Sequence, residues 1–159
     1  MKTTVGTRPD AAGVMVPPPL IYLIGLVLGY LLGLVYPITL LPRVSSFLLG
    51  VIVLLVGLTV ASSAIRTFRR HRTTTLPTRP AAALVQDGPF RFTRNPMYLS
   101  LGISYLGLAL MMDSLWVLLL IIPVLAAVNF YVIAREEKYL TRKFGDEYRS
   151  YVAKVRRWI

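Results

Sequence analysis

The chain has 159 residues, of which 55% are hydrophobic, and carries a formal net charge of +11 with a mean hydropathy of +0.63. No cysteine and a single histidine exclude disulfides, thiolate metal sites, a cysteine nucleophile and a multi-histidine metal centre, so no metal is expected. The basic residues crowd the ends of apolar runs and form no aromatic-basic strand pattern, so the expected partner is a lipid bilayer with anionic headgroups, and no nucleic acid.

This composition predicts an all-α polytopic membrane protein, a single membrane domain over 1–159. Four transmembrane helices as two hairpins, followed by a C-terminal amphipathic interfacial helix, account for the chain. Residues 1–19, ending in Pro17-Pro18-Pro19, read as an N-terminal tail. The apolar stretch after them is long enough to span and shows no small-residue cleavage site, so a retained helix is expected in place of a signal peptide.

The first hairpin covers 20–65. Leu20 to Leu41, frayed by Pro37 and Pro42, and Ser45 to Ile65 each supply the roughly 20 apolar residues a span needs, with Arg43 the only charge between them. Gly25, Gly29 and Gly33 fall on one face of the first helix and read as a close-packing stripe. Residues 66–95 form a cytosolic loop. From Arg66 to Arg94 it holds seven arginines and one acid, Asp87, and Pro77 and Pro80 forbid one continuous helix. Its beginning, to Arg72, extends the second helix out of the bilayer, and Leu84-Val85 makes a short apolar contact before a turn at Gly88-Pro89.

The second hairpin covers 96–134. Pro96 to Met112 and Leu115 to Ala134 are joined by a tight turn at Asp113-Ser114, with a kink predicted near Pro123. Residues 135–159 form the interfacial tail, in which Tyr139, Leu140, Phe144, Tyr148, Tyr151 and Val152 recur near helical spacing. The tail is expected to lie on the membrane surface and fold back over the loop, with Tyr148 and Tyr151 as interfacial anchors. The loop carries seven Lys/Arg and the tail eight, against Arg43 alone in the two short turns. The positive-inside rule therefore places both termini, the loop and the tail in the cytoplasm, at the inner or plasma membrane if the cell is bacterial.

Two polar segments thus meet at one membrane face. Pro96 suits the first position of a helix, whose free N–H groups and positive dipole end favour an anion. Arg94 and Asn95 stand before it, and Arg135-Glu136-Glu137-Lys138 closes the fourth span. The acids read either as a solvated charge cluster or as acceptors for an ammonium or ribose hydroxyls. Asn129, seven residues before Glu136 and hence on one α-helical face with it, is a polar group at membrane depth, where such groups face a cavity or a partner. Tyr98, Gly102 and Tyr105 share a face that can line a cleft open to the bilayer and give a substrate access. His71, among arginines, reads as a surface residue. Together these describe a pocket for a zwitterionic soluble ligand meeting a lipophilic one.

The run from Leu84 through Tyr98, then Arg135-Glu136-Glu137, then Phe144-Gly145-Asp146-Glu147-Tyr148 with Tyr151, resembles the isoprenylcysteine carboxyl methyltransferase and phospholipid methyltransferase superfamily of integral membrane enzymes. The resemblance covers Leu84 to Trp158. It implies S-adenosyl-L-methionine as cofactor, held between the loop before Pro96, the third and fourth helices and the tail. Leu84, Val85, Gly88, Arg94, Asn95, Pro96, Tyr98, Glu136 and Glu137 would then be its contacts. Asn95 stands where the family's motif has histidine, and Ser100 where it has glycine. The implied activity is O- or S-methylation of a lipophilic acceptor. The alternatives are a phospholipid N-methyltransferase, with the same site, and a non-enzymatic membrane scaffold or lipid-binding protein.

Overall fold

Prolines set most of the helix boundaries. The computed structural model describes residues 13–73 and 81–159; the expected tail up to residue 12 and the prolines at 77 and 80 lie outside them. α1 (Pro18–Val35) opens with proline in its first turn and stops before Pro37, so it ends short of the predicted Leu41. α2 (Arg43–Arg70) starts after Pro42 and runs on into the basic stretch, as its sequence predicts. α3 (Pro96–Met111) begins on its proline. α4 (Leu115–Ala127) is capped by the Ser114 side chain, which accepts from the Val117 N–H. It continues through a π-helical turn, Val128–Ile133, into α5 (Ala134–Lys154). The described residues contain no strand.

Pro123 predicts a kink, yet the helix runs through it, and the departure from α geometry lies at Val128–Ile133. A proline removes one N–H, and a neighbouring wide turn is one way to re-accommodate the freed groups. α5 breaks once, at Gly145 (φ 54°, ψ −122°), a conformation that side-chain-bearing residues avoid.

The pairing of helices differs from the expected two hairpins. α1 packs on α4 and α2 on α3, while α1 and α2 share little contact. Small residues decide this. A Cβ on Gly107 of α3 would lie 2.6 Å from the Leu54 backbone nitrogen of α2, and one on Gly57 would lie 2.8 Å from the Ser104 nitrogen of α3. The Gly25-Gly29-Gly33 stripe does pack, but against α4: a Cβ on Gly29 would sit 2.6 Å from the Val117 Cα. The connection between α1 and α2 spans the gap and is pinned to the far turn. Leu40 and Leu41 donate backbone N–H groups to Asp113 Oδ1 at 2.9 and 3.2 Å, and Leu115 donates to the Ile38 carbonyl at 3.1 Å.

α1, α2 and the continuous Leu115–Lys154 helix are long and apolar enough to cross a membrane; α3, at 16 residues, is apolar but shorter. Leu23, Val27, Leu31, Ile52 and Leu55 stand about half exposed on the outside, as expected of side chains that face lipid. Inside, Tyr22, Tyr105, Val117, Val124, Val128 and Val132 form the core between α1, α3 and α4. The protein is an integral membrane protein built of helices.

Candidate functional site

At the end of the bundle away from Asp113, the loop, the start of α3 and the tail interlock. A 3-10 turn at Gly88–Arg91 buries Phe90 edge-on against Phe68 of α2, ring centroids 4.8 Å apart. Tyr151 donates its hydroxyl to the Phe90 carbonyl at 2.7 Å, Ala81 N–H donates to the Tyr139 hydroxyl at 3.1 Å, and Gln86 reaches Glu147 at 3.3 Å. The expected fold-back of the tail over the loop is therefore present. Beyond α5 the chain runs as a short strap. The Arg94 N–H donates to the Arg156 carbonyl at 3.0 Å, and Thr93 Oγ1 and Asn95 Nδ2 donate to the Arg157 carbonyl at 3.1 and 2.9 Å.

These elements enclose a partly open cleft of about 130 Å3. One wall is apolar: Leu84, Val85, Phe90, Met97 and Leu140. The polar lining comprises Arg94, Tyr98, Glu136, Glu137, Tyr148 and Tyr151. Asn95 and Pro96, both buried, line it at the start of α3.

The charges are ordered. Glu137 pairs with Arg94 at 3.1 Å and with Arg157, whose Nε donates to Oε1 at 3.0 Å and whose second nitrogen donates to Oε2 at 2.5 Å. Arg157 also donates to Asn129 Oδ1 at 3.1 Å, which Trp158 Nε1 reaches at 3.2 Å. The hydrogen bond to Glu137 holds the Arg157 guanidinium still more firmly protonated than usual. Glu136 instead accepts from the Tyr98 hydroxyl and pairs with no Lys or Arg among the described residues. Burial pushes its carboxyl up to about 7; the Tyr98 hydrogen bond opposes this and the neighbouring Glu137 charge adds to it. Burial likewise raises Tyr148 to about 12. Arg94 Nε is buried without a hydrogen-bond partner.

Several expectations need correction. Gly88 is not a cleft wall: it sits at φ 56° in the turn, against Thr67 of α2. Gly102 and Tyr105 do not line a cleft open to the bilayer. Tyr105 is 1% exposed under Tyr22, and Gly102 is buried beside Leu125 of α4. Of the two surroundings expected for Asn129, a cavity or a partner, it has the second, accepting from Arg157 and Trp158. Its alignment with Glu136 fails because the intervening π turn uses about one more residue per turn than an α turn. Asn129 therefore lines up with Glu137, through Arg157. Arg94 and Glu137 bridge directly. The Asn95 amide is committed to the strap.

Tyr148 and Tyr151 are 3% and 4% exposed and face the cleft, so they are not interfacial anchors. Their spacing three apart beside buried Tyr139 was the available signal; Arg157 had none. His71 is a surface residue, as expected, hydrogen-bonded to Asp87 at 2.7 Å.

Comparison with known proteins supplies the family. A family model described as phospholipid methyltransferase matches residues 45–147, about two thirds of the chain. An uncharacterized protein of Haemophilus influenzae is 48% identical over 63 residues, 40% of this chain and all of that protein. The matched span takes in α2, the loop, α3, α4 and the first part of α5, hence all four charged and hydroxyl groups on the cleft wall. The chain belongs to the phospholipid methyltransferase family, within the superfamily that joins it to the isoprenylcysteine methyltransferases.

Proposed function

We propose that this protein is a membrane methyltransferase that binds S-adenosylmethionine in the cleft and methylates a lipophilic acceptor at oxygen or sulfur. One observation carries the reading: a cleft at the end of the bundle joins a paired and an unpaired carboxylate, a buried arginine with a spare N–H and an apolar wall. That donor set suits a ligand with a carboxylate, positive charge and a flat apolar body. Members of the family generally use this cofactor.

The residues divide as follows. The Arg94 guanidinium and the N-terminus of α3 would hold the carboxylate end. Glu136 or Glu137 would hold an amine or hydroxyl. Leu84, Val85 and Phe90 would cover the rings and exclude water. Asn95 supports the site by holding the strap. When bound, S-adenosylmethionine supplies a methyl group already activated on a sulfonium, so the chain's contribution is positioning more than acid–base power. The acceptor would come from the bilayer, with loop and tail on the cytoplasmic side by the distribution of Lys and Arg.

The family description favours a second reading, N-methylation of a phospholipid. An amine acceptor must shed a proton, which a carboxylate or thiolate acceptor need not. The test is methyl transfer from isotopically labelled S-adenosylmethionine by the protein in vesicles. A prenylated thiol or carboxylate and phosphatidylethanolamine are supplied in separate reactions. Label in the first product supports O- or S-methylation, label in the second supports N-methylation, and label in neither favours the scaffold reading.

A further inference from the structure

Glu136 and Glu137 are neighbours on one helix, so their side chains point roughly 100° apart. The difference decides their surroundings. Glu137 points to the strap and is held by two guanidiniums, Arg94 at 3.1 Å and Arg157 through a two-point contact. One negative charge there faces two positive ones, and a third cation would be repelled. Glu136 points to α3, where its partner is the uncharged hydroxyl of Tyr98. A carboxylate removed from water without a counter-ion is costly, and a cation arriving in the cleft removes that cost.

We propose that the two glutamates have different roles: Glu137 is a strut that fixes Arg94 and the strap, and Glu136 is the anion that receives the positively charged end of the methyl donor. The inference rests on the reading that the cleft holds S-adenosylmethionine, and it assigns the partner of that molecule's cationic part. The strut is completed by Arg157, which lies beyond the span matched by the family model. It is thus assembled partly from this chain's own C-terminal residues.

The test is calorimetric titration of the full-length, detergent-solubilised protein with S-adenosylmethionine and separately with S-adenosylhomocysteine. The second keeps the ammonium and lacks the sulfonium charge. Glu136→Gln is expected to bind S-adenosylmethionine about tenfold or more weakly while melting at or above the wild-type temperature. Glu137→Gln is expected to melt lower, because it leaves two guanidiniums without a counter-ion. Weakening confined to S-adenosylmethionine assigns the sulfonium to Glu136, and equal weakening of both assigns the ammonium; either supports the division. If Glu136→Gln does not yield folded protein, Glu136→Asp, with its carboxylate drawn back, is expected to weaken binding in the same pattern. Wild-type affinity in a folded Glu136 variant overturns the division and leaves the methyltransferase reading standing. Failure of the wild type to bind either molecule overturns both.

Discussion

The two ends of the helix bundle each hold a carboxylate against a loop, and the two carboxylates live in opposite conditions. Asp113, in the turn between α3 and α4, is half-buried and accepts two backbone N–H groups, from Leu40 and Leu41. The Leu40 hydrogen bond leads in holding it below the usual carboxylate range, helped by Leu41, Ser46 and the Arg43 charge. Glu136, at the other end, is raised to about 7 by burial and has a neutral donor for company. Asp113 has every partner it needs and closes its end. Glu136 lacks one, and the lack sits in a cleft. An unmet electrostatic requirement, more than charge itself, separates a seal from a binding site.

The largest expected effect comes from breaking the strut at the cleft end. Glu137→Ala removes the counter-ion of Arg94 and Arg157 and should lower stability by about 3 kcal/mol, seen as a fall in melting temperature together with loss of S-adenosylmethionine binding. Next is the closed end: Gly29→Val puts side-chain atoms where Val117 backbone already lies 2.6 Å from a Cβ. Overpacking of this kind should cost about 2 kcal/mol, measured by thermal unfolding, while ligand affinity of the folded fraction stays at wild-type level. Equal loss of affinity in that variant would blur the distinction between the ends.

A pH series sharpens the contrast further. The raised Glu136 carboxyl lets the folded state hold a proton that the unfolded chain has released. Its stabilising contribution is therefore fully present below the ordinary carboxylate range and is lost as pH rises through about 7. The melting temperature of the ligand-free protein should fall over that window, and Glu136→Gln should flatten the fall. For Asp113 the sign is reversed: the stability it lends is present above the ordinary carboxylate range and disappears on acidification. The smallest effect is expected from Asp113→Ala, a slight drop in melting temperature at neutral pH that vanishes in acid, with binding intact.

Much of the cleft was legible in the sequence because its members cluster at chain positions with local meaning. Arg94, Pro96 and Tyr98 sit at a helix start, and Glu136-Glu137 sit where an apolar run ends. The roles within the cluster were not legible. Which glutamate meets which cation depends on the π turn at Val128–Ile133, which shifts the helix face by about one residue and brings Asn129 into line with Glu137. The existence of four apolar helices followed from hydropathy, but their pairing did not. Proximity in sequence suggested that α1 and α2 pack together, whereas Gly50, Gly57 and Gly107 let α2 approach α3 closely. Arg157 and the inward-facing Tyr148 and Tyr151 lie beyond the kink at Gly145, a backbone feature with a one-residue signal.

The central claim is that the cleft binds the methyl donor. Calorimetric titration of the folded, detergent-purified protein with S-adenosylmethionine, beside the Arg94→Ala variant, tests it most directly. Saturable binding at one site per chain, abolished in the variant, is the predicted result. A wild-type protein that melts cooperatively and gives no binding heat or ligand-induced rise in melting temperature would contradict the account.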